Sequence, residues 1–271
     1  MKQTILITGA SSGFGKEAAQ LFQQKGWNVI ATMRNPDKEQ VLTQLPNVLV
    51  LALDVTQPDS IQAAVVEGIR HFGAIDVLLN NAGYGLIGVF ESSTPEQVQQ
   101  QYATNVFGLM DVTRVVLPYM REKRKGVIIN LSSVGGFVGM PFGSFYNSSK
   151  FAVEGFSEGL YYELAPFGIS VKIVEPGSVA TNFRQGLTFI KNAIPDYDPL
   201  LGSLFQCYTK PTEHLTKASP AEVAETIYTA ATDGAVNMRY VVGADAAFFI
   251  DLKRNNPDAA FVEQMRAYFV G

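Results

Sequence analysis

The chain is poor in the residues that staple, ligate or anchor. It has one cysteine, Cys207, in 271 residues. No internal disulfide can form, and a reducing compartment is consistent with that. The two histidines, His71 and His214, have no cluster of ligand-type residues around them, so no metal site is expected. Charged residues make up only 17% of the chain and the net charge is −4. Such a balance points away from nucleic acid and from anionic membrane surfaces as partners. The longest apolar run, 48–53, is far below the roughly 20 residues of a membrane span. The apolar stretch after Met1 is also shorter than the about 7–15 residues of a signal-peptide core. It reads as a buried first strand, and a cytoplasmic location is expected. No internal repeat or low-complexity tract is visible.

Apolar residues are plentiful, at 47%. They recur in β-branched runs at 4–8, 28–32, 47–53, 75–80, 126–132, 171–176 and 239–243. Helical patterns fill the intervals at 16–25, 58–72, 95–120, 145–165 and 220–232. Alternating strand and helix with apolar strands predicts a parallel sheet covered on both faces. The expected fold is α/β, a doubly wound Rossmann-type arrangement with seven parallel strands in a single domain over 1–271. Only 181–219 breaks the rhythm, mixing Phe183, Phe189, Tyr197, Leu204 and Tyr208 with glycines and prolines. A segment this long without strand pattern, yet aromatic, reads as a lid or pocket wall.

The first strand runs into TGASSGFG, residues 8–15. Glycines at 9, 13 and 15 permit a tight turn, and the next helix offers its positive N-terminus to a diphosphate. The order is GxxxGxG, which departs from the usual GxGxxG of dinucleotide sites. At the end of the second strand, where NAD-preferring sites place an acid, stand Thr32, Met33 and Arg34. Arg34 suits a 2′-phosphate, with Ser12 in support and Asp37 as a moderating charge. The ordinary alternative is a solvated arginine. Asp54 ends the third strand, where it serves either an adenine amino group or a turn cap. NNAG at 80–83 lets a ribose lie against backbone, and is equally good turn sequence.

Tyr146 and Lys150 stand at i, i+4, one turn apart on a helix face. Alone, such a pair is an ordinary surface feature. Here Ser132 and Ser133 close the strand at 126–132, Asn105 interrupts a helical segment, and PGSVAT at 176–181 follows the sixth strand. The serines and the PGSVAT turn belong at carboxyl ends of parallel strands, where ligands bind. A tyrosine acting near neutrality needs its pKa lowered by about three units, or roughly 4 kcal/mol. A cation at about 4 Å in an effective dielectric of 20 supplies about that much. Lys150 is therefore expected to depress Tyr146. His71, the basic run at 121–125 with Gly126 as its expected C-cap, and Trp27 have ordinary structural explanations; Met140 and Phe142 suit pocket or core equally, and His214 lies in the lid, where a substrate contact stays open.

Taken together, TGASSGFG, Asp54, Asn80-Asn81-Ala82-Gly83, Asn105, Ser133, Tyr146-x-x-x-Lys150 and Pro176-Gly177 resemble the classical short-chain dehydrogenase/reductase family. The run around Tyr146 and the segment SPAEVAETIYTA are most similar to its hydroxysteroid and retinol dehydrogenase branch. The resemblance implies Ser133, Tyr146, Lys150 and Asn105 as the catalytic set. It implies NADP(H) held by Gly9, Ser11, Ser12, Gly13, Phe14, Gly15, Arg34, Asp54, Val55, Asn81, Ala82, Gly83, Tyr146, Lys150, Pro176, Gly177, Val179 and Thr181. It further implies a hydrophobic carbonyl or alcohol substrate and a homodimer or homotetramer built on helices 95–120 and 145–165, with Phe151, Val153, Phe156 and Tyr161 supplying contact. Two alternatives remain open at this stage: a non-catalytic NADP-binding regulator, and a 3-ketoacyl-thioester reductase.

Overall fold

The computed structural model describes residues 2–179, 186–209 and 216–269. Seven strands, β1 (Thr4–Ile7), β2 (Asn28–Met33), β3 (Val48–Ala52), β4 (Val77–Asn80), β6 (Gly126–Leu131), β7 (Ile169–Pro176) and β9 (Arg239–Val242), form one sheet. Its order is β3-β2-β1-β4-β6-β7-β9 and every pairing is parallel. Strand order reverses beside β1, which opens a crevice at the carboxyl ends of β1 and β4. Both faces of the sheet are apolar because both are covered. Along β1, Ile5 and Ile7 face one way, onto Phe22, Val223 and Ile227. Leu6 faces the other way, onto Ile30, Ile61, Val112 and Leu160. Helices α1 (Gly13–Gln24) and α7 (Pro220–Thr232) cover the first face, and α2 (Pro58–Phe72), α4 (Gly108–Lys123) and α5 (Ser144–Leu164) the second. Trp27 is core, edge-on to Phe22 at 5.1 Å.

The expected seven-stranded α/β sheet is present, and three local readings change. The segment expected as one helix at 95–120 is three pieces: α3 (Pro95–Tyr102), a π-helical turn at Ala103–Phe107, and α4. Thr94 and Gln97 start α3 with a reciprocal capping box. Gly126 is not a cap. Arg124 takes the left-handed cap position of α4, at φ 51°, and its guanidinium reaches the Pro166 carbonyl at 2.6 Å. Gly126 lies in β6, where an added Cβ would stand 2.5 Å from the Met120 sulfur. The 181–219 segment is not wholly irregular either. β8 (Leu187–Phe189) pairs in parallel with β5 (Gly85–Ile87), and α6 (Asp198–Thr209) follows. Beyond β9, α8 (Ala244–Asn255) and α9 (Asp258–Phe269) pack Phe249, Met265 and Phe269 against Val134 and Val138 of the loop after β6. No strand-like alternation marks β5 or β8, whose three residues are too few to show a period. Among the described residues, no helix is long and apolar enough to cross a membrane.

Candidate active site

The glycine turn after β1 has the geometry of an anion cradle. Gly9 and Gly13 take positive φ, at 70° and 55°, and nothing stands within 4 Å of a Cβ placed on Gly13. Gly15 is needed for contact: its added Cβ would lie 2.5 Å from both the Asn81 side-chain nitrogen and the Gly9 carbonyl. Ser12 occupies the N-cap of α1, yet its hydroxyl makes no capping bond. Ser11, Ser12 and Gly13 are exposed, and Phe14 is half-buried. Open space, exposed backbone and a free hydroxyl at a helix N-terminus fit a diphosphate. The Asn81 amide serves the cradle from beneath, donating to the carbonyls of Thr8 and Gly9 at 2.9 and 3.0 Å. Thr8 completes the clamp by accepting from the amides of Asn81 and Ala82, both at 3.0 Å.

Arg34 is exposed at the end of β2 and forms no ion pair among the described residues. The loop after it is set by Glu39, which sequence reading missed. Glu39 is buried and accepts from Lys16 at 3.0 Å and from the amides of Val41 and Leu42 at 2.8 and 2.9 Å. Burial pushes its carboxyl up, but those donors outweigh burial and hold it below the usual range. Asp54 is a turn cap at one oxygen: Oδ1 accepts from the amide and hydroxyl of Thr56 at 2.9 and 2.8 Å. Val55 is buried against Gly108, whose added Cβ would sit 2.7 Å from it.

Across the crevice, α5 carries Tyr146 and Lys150. The Tyr146 phenol lies at Ser133, and the Ser133 Oγ accepts from the Gly135 amide at 3.1 Å. Gly135 fits because an added Cβ would come within 3.3 Å of the Tyr146 ring and 3.5 Å of the Ser133 hydroxyl. The Lys150 ammonium is buried and donates to the Leu131 carbonyl at 2.7 Å. It lies 5.9 Å from the centre of the Tyr146 ring. Asn105 sits in the π-helical turn and grips the backbone of Tyr84. It accepts from the Tyr84 amide at 3.0 Å and donates to its carbonyl at 2.9 Å. Asn105 and Lys150 both converge on Gly83, whose added Cβ would stand 3.1 Å from the Asn105 oxygen and 3.9 Å from the Lys150 nitrogen.

The electrostatics differ from expectation. Burial pushes the Tyr146 phenol above its usual value, and the Ser133 contact pulls it back. The Lys150 ammonium, held at the Leu131 carbonyl at 2.7 Å, does not offset that burial. Burial pushes Lys150 itself down to about 8, opposed by Glu154.

The remaining wall comes from β7 and the 181–219 segment. Gly177 lies against Asp245 of α8, and an added Cβ would meet its carboxylate at 2.1 Å. That carboxylate accepts from the Ser178 amide at 2.6 Å, so α8 fixes the turn that follows Pro176. Val179 bridges to Ala218. Leu187 reaches the site through β8, since a Cβ on Gly85 would lie 2.7 Å from its side chain and 3.6 Å from the Tyr146 ring. Thr181 and His214 lie outside the described residues. Leu187 belongs to the segment read from sequence as a lid or pocket wall, whereas Glu39, Gly135 and Asp245 were not read from sequence. Their partners are distant in the chain, and no short motif announces them.

Comparison with known proteins bears on the family and the fold. Residues 3–189 match the family model described as short chain dehydrogenase. A 3-ketodihydrosphingosine reductase of Bacteroides thetaiotaomicron is 48% identical over 74% of this chain and 74% of its own. Retinol dehydrogenase 8 of Bos taurus is 38% identical over 83% of this chain and 76% of its own. Among solved structures, a short-chain dehydrogenase from Streptomyces avermitilis superposes with TM-score 0.85 at 33% identity, covering 98% of both chains. ElxO with NADP bound superposes with TM-score 0.77 at 27% identity, over 92% of this chain and 99% of that one.

Proposed function

The chain belongs to the short-chain dehydrogenase family of NAD(P)-dependent oxidoreductases, and from that premise we propose that it interconverts a carbonyl and an alcohol on a hydrophobic small molecule, with NADP(H) as the hydride carrier. One observation carries the reading. Ser133, Tyr146 and Lys150 stand in one crevice with the glycine cradle, at the carboxyl ends of the same parallel strands. Gly9, Ser11, Ser12, Gly13 and Gly15 would hold the diphosphate, and Ala82, Gly83 and Gly177 would offer backbone for the ribose and nicotinamide to lie against. NADPH bound there supplies the hydride that goes to the carbonyl carbon. Tyr146 gives its phenolic proton to the carbonyl oxygen, and Ser133 donates a hydrogen bond to that oxygen as its charge grows. Lys150 carries the positive charge that favours the phenolate left behind. Asn105 fixes the Tyr84 backbone and so the floor beside Lys150.

The preference for NADPH over NADH rests on Arg34, a cation with no acidic partner among the described residues, where an NAD site would carry an acid. The buried apolar cluster of Leu86, Phe145 and Ile190, next along the chain to Gly85 and Tyr146, supports a hydrophobic substrate. The resemblance to a 3-ketodihydrosphingosine reductase and a retinol dehydrogenase favours long-chain ketones and retinoids within that class. A cytoplasmic site of action belongs to this reading and is supported by the single cysteine.

The test is NADPH oxidation driven by a panel of long-chain 3-ketones, retinal, steroids, quinones and acyl thioesters, with Tyr146→Phe beside the wild type. Turnover should fall by roughly 10²–10⁴ in the variant. NADPH binding without turnover on any carbonyl would overturn the catalytic reading and favour a regulator on the same fold.

A further inference from the structure

Behind Lys150 lies a set of charges that hydride transfer does not use. Glu154 is one turn further along α5, on the Lys150 face, and is buried. Glu175, at the end of β7, is fully buried. Arg239 of β9 reaches both, at 3.0 Å from Glu154 Oε2 and 3.4 Å from Glu175 Oε1. It also meets Glu158 at the solvent edge, at 2.7 Å. The Ser132 hydroxyl faces Glu154 from the loop after β6, and Arg254 of α8 acts on Glu175 from farther away. Lys253 of α8 is turned to the Phe137 carbonyl and Asp245 to the Ser178 amide, so neither joins the group. Gly136 seals one side: an added Cβ would lie 3.1 Å from the Glu154 side chain.

Three carboxyls thus share Arg239 as their one close guanidinium. Glu154 Oε1 and both Glu175 oxygens are buried and receive no hydrogen bond from a described group. Two ionised carboxylates offer only acceptors to each other, and a proton on either one supplies the missing donor. Burial, and then the charge of Glu154, push Glu175 up to about 7. Burial likewise raises Glu154, against the pull of Ser132 and Arg239.

We propose that Glu154 is a positioning residue which, buffered by the proton it shares with Glu175 and oriented by Arg239, keeps Lys150 charged beside Tyr146. Around the ammonium the described neighbours are the Leu131 carbonyl, the Tyr146 ring, Asn105 across Gly83, and Glu154. Glu154 is the one anion among them. Without it, burial acts on Lys150 unopposed, and the cation that favours the phenolate disappears within the working pH range. The inference about Lys150 as the partner of Tyr146 rests on the reductase reading, but the charge of Lys150 can be measured without substrate.

The side-chain nitrogen of Lys150 is followed by ¹⁵N NMR in the full chain, its signal assigned by its loss in Lys150→Arg. The wild type should titrate near the value of about 8 that burial imposes. Glu154→Gln should titrate about one unit lower, and Glu154→Asp, which keeps the charge, should stay with the wild type. An unmoved Glu154→Gln titration, or an equal shift in Glu154→Asp, would overturn the proposal. If Glu154→Gln does not fold, infrared spectroscopy of the wild type against Glu175→Gln decides. A buried neutral carboxyl band should fade in the wild type as pH rises through about 7, and should be missing from Glu175→Gln. A wild type lacking that band would sink the shared proton. Neither experiment involves turnover, so failure here is distinct from failure of the reductase reading.

Discussion

At Gly15 a single methyl group has nowhere to go, since it would press on Asn81 and on the Gly9 carbonyl at 2.5 Å. Gly15→Ala should therefore spread the cradle and weaken NADPH at least about tenfold by calorimetry, a loss of roughly 1.4 kcal/mol. Arg34→Asp should weaken NADPH by about 10–100-fold, the worth of a charged hydrogen bond, and leave NADH nearly unchanged. Equal losses for both would show that Arg34 does not read the phosphate. Glu39→Gln should lower stability by about 1–3 kcal/mol in a denaturant titration, because two amides and Lys16 lose a charged acceptor. The folded pKa of Glu39 is depressed, so its contribution is present above the unfolded value and fades as pH falls through the folded one. Glu175 has the opposite sign. Its folded pKa is raised, so its cost is absent below the unfolded value of 4.5 and complete above about 7. The melting temperature of Glu175→Gln should rise relative to wild type between pH 5 and pH 8. At this scale the sequence was legible where a residue type sat in a short spacing, as with Tyr146 and Lys150. It was silent on Glu39, Glu154 and Glu175. Arg239 is 85 residues from Glu154, and no window along the chain holds both.

Among the elements, strands and amphipathic helices could be read directly because burial on both faces demands apolar runs. The break between α3 and α4 could not, since a π-helical turn needs no signature of its own. Asn105 as a poor helix former was the available hint, and the structure gives its reason: both arms of its amide hold Tyr84. Asn105→Ala would leave the Tyr84 amide and carbonyl without these partners. It should cost about 1–3 kcal/mol and lower kcat more than it raises KM. A different element is expected to govern substrate binding. Gly85→Ala would drive a methyl into Leu187, so KM for the carbonyl should rise while the affinity for NADPH holds. Proportionate loss of both would mean that the β5–β8 pair supports the cradle and not the pocket.

For the whole molecule, strand order and layers followed from the alternating pattern, but the assembly did not. We expect a homodimer or homotetramer through the outer faces of α4 and α5. Phe107, Phe151 and Tyr162 are exposed at 57, 42 and 73%, and no side chain crosses Gly155 or Gly159 between them. Val153, read from sequence as an interface residue, is instead core at 1% exposure. Light scattering at micromolar concentration should return a multiple of 29.5 kDa, and a monomer alone would refute the expectation. The small sheet of β5 and β8 has a consequence for folding order. It joins Gly85–Ile87 to Leu187–Phe189 through three residue pairs, across about a hundred residues of chain. So long a loop is closed for little gain in contact, and it closes after the main sheet is built. The amide of Ile190, bonded to the Ile87 carbonyl at 2.8 Å, should therefore exchange its hydrogen long before the amides of β1 and β4. On the proposed reading, a chain that opened only there would keep its nucleotide and lose its discrimination among substrates.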